Sequence, residues 1–192
     1  MSTLLTIDFD IIMSPSIEIY NNLIGEEFIG IEDLFKAYPF AFCNFNADFE
    51  IYQKLTDIIR VVAKKIPKKN IFFEKHHDDI YLRHKDIYPI DTIINIDHHH
   101  DLGYNGDKAE QIKMSNWARY LFNNNLIKNY IWVDDLHSDL AGIELVTEKK
   151  LIYDFYVNPY LKDIEYLALC ESAYWVPDRY NPLFRTWIDL FA

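Results

Sequence analysis

The sequence predicts an α/β domain built on a mostly parallel sheet, and two observations carry that prediction. Short apolar runs typical of buried strands alternate along the chain with stretches of helical periodicity. Several of these runs end in clusters of Asp and His, as expected where the carboxyl ends of parallel strands form a binding edge. The 192 residues are enough for one domain, 1–192, with its own apolar core.

The first half of the chain contains three predicted strands and one clear helix. Residues 48–66 form the helix, because apolar side chains recur every three or four positions and Pro67 ends the pattern. A shorter helical stretch, to about Lys85, is expected between the second and third strands. The strands are expected at 3–12, 71–73 and 92–96.

The second half continues the alternation of strands and helices. Gly103 and Gly106 mark a loop, after which Asp107 is placed to cap a helix over 108–122. Further strands are expected at 129–133, within 145–157, where one or two strands fit, and at 164–169.

The charge balance narrows the choice of partners. The chain carries 30 acidic and 19 basic residues, and the net charge of -11 repels nucleic-acid phosphates while favouring cationic partners or metal ions. No apolar stretch is long enough for a membrane span, and the N-terminus lacks a signal-peptide pattern. We therefore expect a cytoplasmic protein with neither a nucleic-acid nor a membrane partner, and the sequence leaves its oligomeric state open.

The strongest functional signal is the segment Asp97–Asp101, which reads Asp-His-His-His-Asp directly after a predicted buried strand. In extended backbone, side chains alternate, so Asp97, His99 and Asp101 point to one side. Burying so many polar groups is costly unless something compensates them. A face with two carboxylates and an imidazole suits Mn²⁺, Fe²⁺ or Zn²⁺.

Two further clusters extend this pattern. Asp8 and Asp10 stand two residues apart at the end of the first strand, and His76 or His77 follows the second. Each cluster alone also fits an ordinary turn or a solvated surface. Because carboxylates can bridge two metal ions, and paired ions activate water near neutral pH, the three clusters together predict a two-metal hydrolytic site.

These motifs resemble those of the ureohydrolases, the arginase and agmatinase superfamily. Residues 96–102, Ile-Asp-His-His-His-Asp-Leu, resemble its Asp-x-His-x-Asp motif, and residues 5–10 resemble its second Asp-x-Asp motif. The closer resemblance is to a divergent arginase-like group that includes the peptide arginases, through residues 74–78, Asn116-Trp117 and the strand ending at Val133. The resemblance implies a three-layer αβα, arginase/deacetylase-like fold with a permuted order of metal motifs, since the Asp-x-Asp pair comes first here.

The same resemblance implies a reaction and a cofactor. Peptide arginases hydrolyse arginine side chains within a ribosomally made precursor peptide, leaving ornithine and urea, so the implied partner is an arginine-containing precursor peptide. The implied cofactor is a pair of Mn²⁺ ions, bridged by the carboxylates of Asp97 and Asp8. The implied metal ligands are Asp8, Asp10, His76, Asp97, His99 and Asp101.

Further roles follow for residues outside the ligand set. Asp101 is also the candidate relay of a proton toward the leaving amine. Glu171, after the last predicted strand, is the candidate partner of the guanidinium group, and Asn116 is a second candidate substrate-binding residue. The candidate proton shuttles, among which the sequence does not choose, are His98, His100 and His137.

Two other functions stay open at this point. A phosphoesterase of the Asp-His-His type also uses an early Asp-x-Asp pair and two Mn²⁺ ions, and residues 97–99 with a late carboxylate from Asp154 fit that pattern. Its first motif normally follows a His and opens into small residues, which residues 8–12 do not match, and the acidic charge disfavours polyanionic substrates. The other is a non-catalytic module that binds a cationic protein through its acidic face, and a lack of metal binding would favour it.

Overall fold

A parallel sheet dominates the computed structural model, which describes residues 2–14, 46–103, 107–134, 143–173 and 175–192. In chain order, its strands are β1 (Thr3–Asp8), β2 (Met13–Ser14), β3 (Asn46–Ala47), β4 (Ile71–Glu74), β5 (Ile90–Ile96), β6 (Ile127–Asp134), β7 (Glu148–Leu151) and β8 (Ile164–Cys170). β2 and β3 form a small antiparallel pair, and the other six form one sheet in the order β4–β8–β1–β5–β6–β7. Every pairing in that sheet is parallel, so all six carboxyl ends lie at one edge.

The described residues include four α-helices, α1 (Phe49–Ala63), α2 (His77–Arg83), α3 (Trp117–Asn123) and α4 (Asn181–Asp189). α1 begins where the sequence predicts, because the Asp48 carboxylate accepts hydrogen bonds from the backbone N–H groups of Glu50 and Ile51. Among these helices, none is both long and apolar enough to cross a bilayer.

The helices cover both faces of the sheet. On β1, Leu5 and Ile7 belong to one core, which also contains buried side chains of α1 and α4. Leu4 belongs to a second core, together with buried side chains of α2 and α3. The predicted α/β fold is therefore confirmed, with one layer of helices on each face of a parallel sheet. Since strand side chains alternate, Asp8 ends β1 on the same face as Leu4, toward α2 and α3.

An aromatic cluster fixes the chain just after β1. Trp187 of α4 packs edge-to-face against Phe9 with ring centroids 5.0 Å apart, and Phe184 packs against Phe9 at 5.3 Å. These contacts hold a 3₁₀ turn, Phe9–Ile12, against the core. The turn carries Asp10, so the sequence prediction of a strand through residue 12 is wrong after Asp8.

The helix predicted over 108–122 is also wrong before Trp117. The Asp107 carboxylate accepts a hydrogen bond from the backbone N–H of Ala109, but it closes a loop, since Ala109 adopts a left-handed φ of 51°. A 3₁₀ turn over Met114–Asn116 then leads into α3. Within residues 145–157, where one or two strands were predicted, the structure has one strand, β7. The sequence did not predict α4. Gly106 lies outside the described residues.

Candidate metal centre

Four neighbouring strands bring the predicted clusters to one place. In the order β4–β8–β1–β5, each of these strands ends at the same edge of the sheet. Asp8 ends β1, Asp97 follows β5 directly, and His77 begins α2 shortly after β4. Clusters that are distant in sequence therefore meet at the carboxyl edge, as the strand pattern predicts.

Two groups of side chains are arranged to hold a metal ion. The inner group consists of Asp8, His77 and Asp97, and the outer group consists of Asp10, Asp97 and His99. Within each group the ligand atoms lie within 4.8 Å of one another. Asp97 belongs to both groups, and a carboxylate with its two oxygens can join two adjacent cations.

The carboxylates of Asp8 and Asp10 are buried with unused hydrogen-bonding capacity. Asp8 is 8% exposed and Asp10 is 2% exposed. Among the described residues, the Oδ1 atom of each has no hydrogen-bond partner. A buried carboxylate without full compensation is destabilising, so these oxygens fit a site that a cation completes.

Asp97 is held in place by uncharged donors. The Asn95 side-chain amide donates to Asp97 Oδ2 at 3.1 Å, and the backbone N–H of His99 donates to Asp97 Oδ1 at 2.8 Å. The Trp132 indole N–H donates to the Asp97 carbonyl at 2.9 Å. Both carboxylate oxygens are thus oriented before any ion is added, which is the support that a metal ligand needs.

His77 lies between three carboxylates. Its Nδ1 is 2.8 Å from Asp101 Oδ2, 3.2 Å from Asp97 Oδ2 and 3.6 Å from Asp8 Oδ2. Burial alone lowers the pKa of His77, but its neighbours Cys170 and Asp8 and its hydrogen bonds to Asp101 and Asp97 raise that pKa well above 6.5. The surrounding carboxylates therefore favour positive charge at the position of this imidazole.

The carboxylates around His77 divide into ionised and protonated types. Burial, and then the negative charge of Asp97, raises the pKa of Asp101 to about 7. Burial and the charge of Asp10 raise the pKa of Asp8 well above 3.8. Burial acts in the same direction on Asp97, but hydrogen bonds from His77 and His99 outweigh it and lower its pKa. The centre therefore holds exchangeable protons near neutral pH.

Asp101 contacts the inner group without belonging to either donor group. Its Oδ2 accepts a hydrogen bond of 2.6 Å from the Trp117 indole N–H and contacts His77. Its backbone adopts a left-handed φ of 53°, a conformation that costs a non-glycine residue energy and is often found at functional sites. Asp101, predicted as a metal ligand, therefore belongs to neither donor group, whereas its predicted role as a proton relay stays a prediction.

The structure changes which of the two neighbouring histidines is the candidate metal ligand. His76 precedes α2 and belongs to neither donor group, whereas His77, its neighbour, is in the inner group. The reason is where the helix begins, since His77 is its first residue and is buried against the sheet edge. The assignment of His76 as a ligand is therefore replaced by His77, the alternative that the sequence left open.

Two predicted roles are replaced by structural ones. Asn116 was predicted to bind substrate, but its side-chain oxygen accepts from the Lys113 N–H and its amide donates to Asp107 and to the Gln111 carbonyl. These bonds hold the loop before α3. His100 was predicted as a proton shuttle, but it is fully buried, packs edge-on against Trp132, and accepts from the Leu102 N–H.

The remaining candidates are only partly located. His98 contacts the Met13 carbonyl through Nε2 at 2.9 Å, and its ring lies edge-on to that of His99 with centroids 6.2 Å apart, but His98 belongs to neither donor group. Glu171 directly follows β8, is half-buried, and donates its backbone N–H to the Glu74 carbonyl, so its backbone lies at the same edge. His137 lies outside the described residues.

Sequence reasoning missed several supporting residues. Asn95 was detectable, since it is a polar residue inside an apolar strand, two positions before Asp97. Ser172 donates from Oγ to Asp10 Oδ2 at 3.2 Å across 162 positions of sequence, and no local signal indicates that contact.

Comparisons of the chain with protein-family models, curated proteins and solved structures find no match. The assignment of function therefore depends on the motifs and on the geometry of the centre.

Proposed function

We propose that this chain is a two-metal hydrolase and, specifically, a peptide arginase that converts arginine side chains of a precursor peptide to ornithine and urea. The observation that carries the proposal is the sharing of Asp97 by the inner and outer donor groups. This arrangement fits a pair of adjacent divalent ions, and the arginase-like reaction follows from the motifs that supply the groups.

The donor chemistry supports Mn²⁺ as the metal. Both groups offer carboxylate oxygens and imidazole nitrogens, which suit Mn²⁺. The nearby Cys170 is in neither group, and burial raises the pKa of its thiol to about 11, so it stays protonated at neutral pH. When bound, two such ions supply Lewis acidity and an activated water for hydrolysis.

The residues of the chain supply proton transfer and substrate attraction. With a pKa of about 7, the Asp101 carboxyl group can hold or release a proton, and Trp117 keeps its Oδ2 in place. Loss of an amine from a guanidinium carbon requires a proton donor of this kind. Glu171 at the same edge is the candidate for pairing with the planar guanidinium, and the net charge of -11 attracts a cationic peptide.

The side-chain positions favour this reaction over the phosphoesterase. An Asp-His-His centre would use His98, which belongs to neither donor group and whose Nε2 contacts the Met13 carbonyl. It would also use a late carboxylate, for which Asp154 was the candidate. Asp154 is exposed, its charge acts on Lys54, and it belongs to neither donor group.

The test is incubation of the purified protein with Mn²⁺ and an arginine-containing peptide. We expect urea release and a loss of about 42 Da per arginine, the covalent change for metal-assisted hydrolysis to ornithine. Asp97→Asn should abolish both signals, whereas Asp57→Asn, on the exposed face of α1, should not. A peptide with lysine in place of arginine should not react. Phosphate release from a phosphoester without any urea would refute the proposal in favour of the phosphoesterase.

A further inference from the structure

We infer that Ser172 is a positioning residue for the outer donor group and that its hydroxyl controls metal loading of that group alone. This inference rests on the proposed metal centre. It assigns a role to a residue that belongs to neither donor group and that lies just after the end of β8.

The Ser172 hydroxyl orients one outer ligand. Its Oγ donates to Asp10 Oδ2 at 3.2 Å, and both side chains are buried. Asp10 Oδ1 is buried and, among the described residues, has no hydrogen-bond partner. By fixing one oxygen, the hydroxyl sets the rotation of the carboxylate and leaves the other oxygen for a cation.

The backbone around Ser172 explains how the hydroxyl is held. Ser172 adopts a left-handed φ of 51°, and its N–H donates to the Lys75 carbonyl. Its carbonyl accepts from the N–H groups of Trp175 and Val176. Three backbone hydrogen bonds therefore maintain a conformation that is costly for a non-glycine residue.

The same turn also reaches the second outer ligand. The indole of Trp175 lies 5.8 Å from the imidazole of His99, measured between ring centroids. The turn thus contacts Asp10 and His99, the two ligands that the outer group does not share with the inner group.

The inner group has different supports. His77 is buried among three carboxylates, whereas the His99 side chain is 39% exposed. The shared ligand, Asp97, is oriented by Asn95 and by the His99 backbone. Removing the Ser172 hydroxyl should therefore leave the inner group intact and weaken the outer one.

The test compares Ser172→Gly with the unaltered protein by Mn²⁺ titration calorimetry and electron paramagnetic resonance. Glycine tolerates the positive φ, so this change removes the hydroxyl without backbone strain. We expect the unaltered protein to bind two ions that are magnetically coupled. Ser172→Gly should bind the first ion normally and the second about tenfold or more weakly, as expected for loss of a hydrogen bond to a charged group. At one equivalent per protein, its spectrum should show an isolated ion.

Two controls separate the hydroxyl from the backbone. Asn125→Gly alters another left-handed residue, at the end of α3, and should keep both ions. Ser172→Ala should lose the outer ion as Ser172→Gly does. If only the alanine variant loses it, the effect is backbone strain and the inference is wrong. Thermal unfolding without metal checks that each variant folds.

The outcomes also separate this inference from the proposed function. If the unaltered protein binds no Mn²⁺, the proposed centre fails and the role of Ser172 fails with it. If the unaltered protein and Ser172→Gly both bind two ions with equal affinity, only the role of Ser172 is refuted.

Discussion

Loading the inner group with Mn²⁺ should release protons, because His77 and Asp101 carry them near neutral pH. The pKa of Asp101 is about 7 and that of His77 lies well above 6.5. A metal ion between these side chains requires a deprotonated His77 Nδ1 and favours an ionised Asp101. We therefore expect about two protons to leave per inner ion at pH 6.

The coupling between proton release and Mn²⁺ binding sets how strongly the Mn²⁺ affinity depends on pH. Each proton released changes the metal association constant about tenfold per pH unit, or about 1.4 kcal/mol. Asp101, with a pKa of about 7, contributes about fivefold between pH 6 and 7 and His77 about tenfold, so affinity should rise roughly 50-fold and level off above the pKa of both groups. Asp101→Asn retains an oxygen for the Trp117 hydrogen bond but cannot titrate, so it should reduce that rise to about tenfold.

The assay is titration calorimetry with Mn²⁺ at pH 6, 7 and 8, in pairs of buffers with different ionisation enthalpies. The dependence of the observed heat on the buffer counts the protons released. Equal heats in both buffers at pH 6, together with an affinity that does not change with pH, would refute the protonation states assigned to His77 and Asp101.

The same pKa shifts determine how the stability of the metal-free protein changes with pH. Asp8 and Asp101 have raised pKa values in the folded protein, so the metal-free protein should lose stability as the pH rises from about 4 through 7. The raised pKa of His77 acts in the same direction at higher pH, above 6.5. Asp97 acts oppositely, since its lowered pKa contributes stability that is lost only on acidification below 3.8.

Three further predictions concern single residues. Asp97→Asn should lower the affinity for both Mn²⁺ ions by roughly 100-fold or more, because both donor groups share this carboxylate and its charged hydrogen bonds and metal contacts are lost together. Binding of one ion with unaltered affinity would contradict the sharing. Trp117→Phe removes the N–H that stabilises ionised Asp101, so the pKa of Asp101 should rise further. The pH dependence of Mn²⁺ affinity should then shift to higher pH. An unchanged pH dependence would show that this hydrogen bond does not stabilise the anion. Asn116→Ala should lower the free energy of unfolding by about 1–3 kcal/mol in urea titrations, because the Asn116 amide closes the loop before α3. The Mn²⁺ affinity should stay unchanged. Weaker peptide binding at unchanged stability would instead support the predicted role of Asn116 with substrate.

The parts of the centre that the sequence predicts depend on strand periodicity. Asp97, His99 and Asp101 were expected on one side because side chains alternate in extended backbone. Asp97 and His99 do share the outer group, but β5 ends at Ile96 and Asp101, with its left-handed φ, belongs to neither group. Asp8 was expected to approach them because the carboxyl ends of parallel strands share an edge, and β1 does pair with β5. These features are encoded locally and by the sheet rule, so one sequence is enough to find them.

The parts that were missed depend on helix starts and distant contacts. A shift of one residue separates His76 from His77, and only the start of α2 decides which ring enters the centre. The sequence alone suggests that Asn116 binds substrate, because it does not show that both ends of the Asn116 amide form hydrogen bonds within the loop that begins at Asp107. Ser172 reaches Asp10 only because β8 lies beside β1, and that pairing has no signature in either segment.

The charge of the centre favours two ions over one. Four carboxylates converge there, those of Asp8, Asp10, Asp97 and Asp101. In the metal-free protein, the raised pKa values of His77 and Asp101 favour protons on these two side chains near neutral pH, and these protons reduce the repulsion. A single divalent ion that displaced those protons would leave two buried negative charges uncompensated, whereas two such ions would balance all four. Under the proposed function, the buried acids at this edge therefore form a site whose protons exchange for a pair of metal ions.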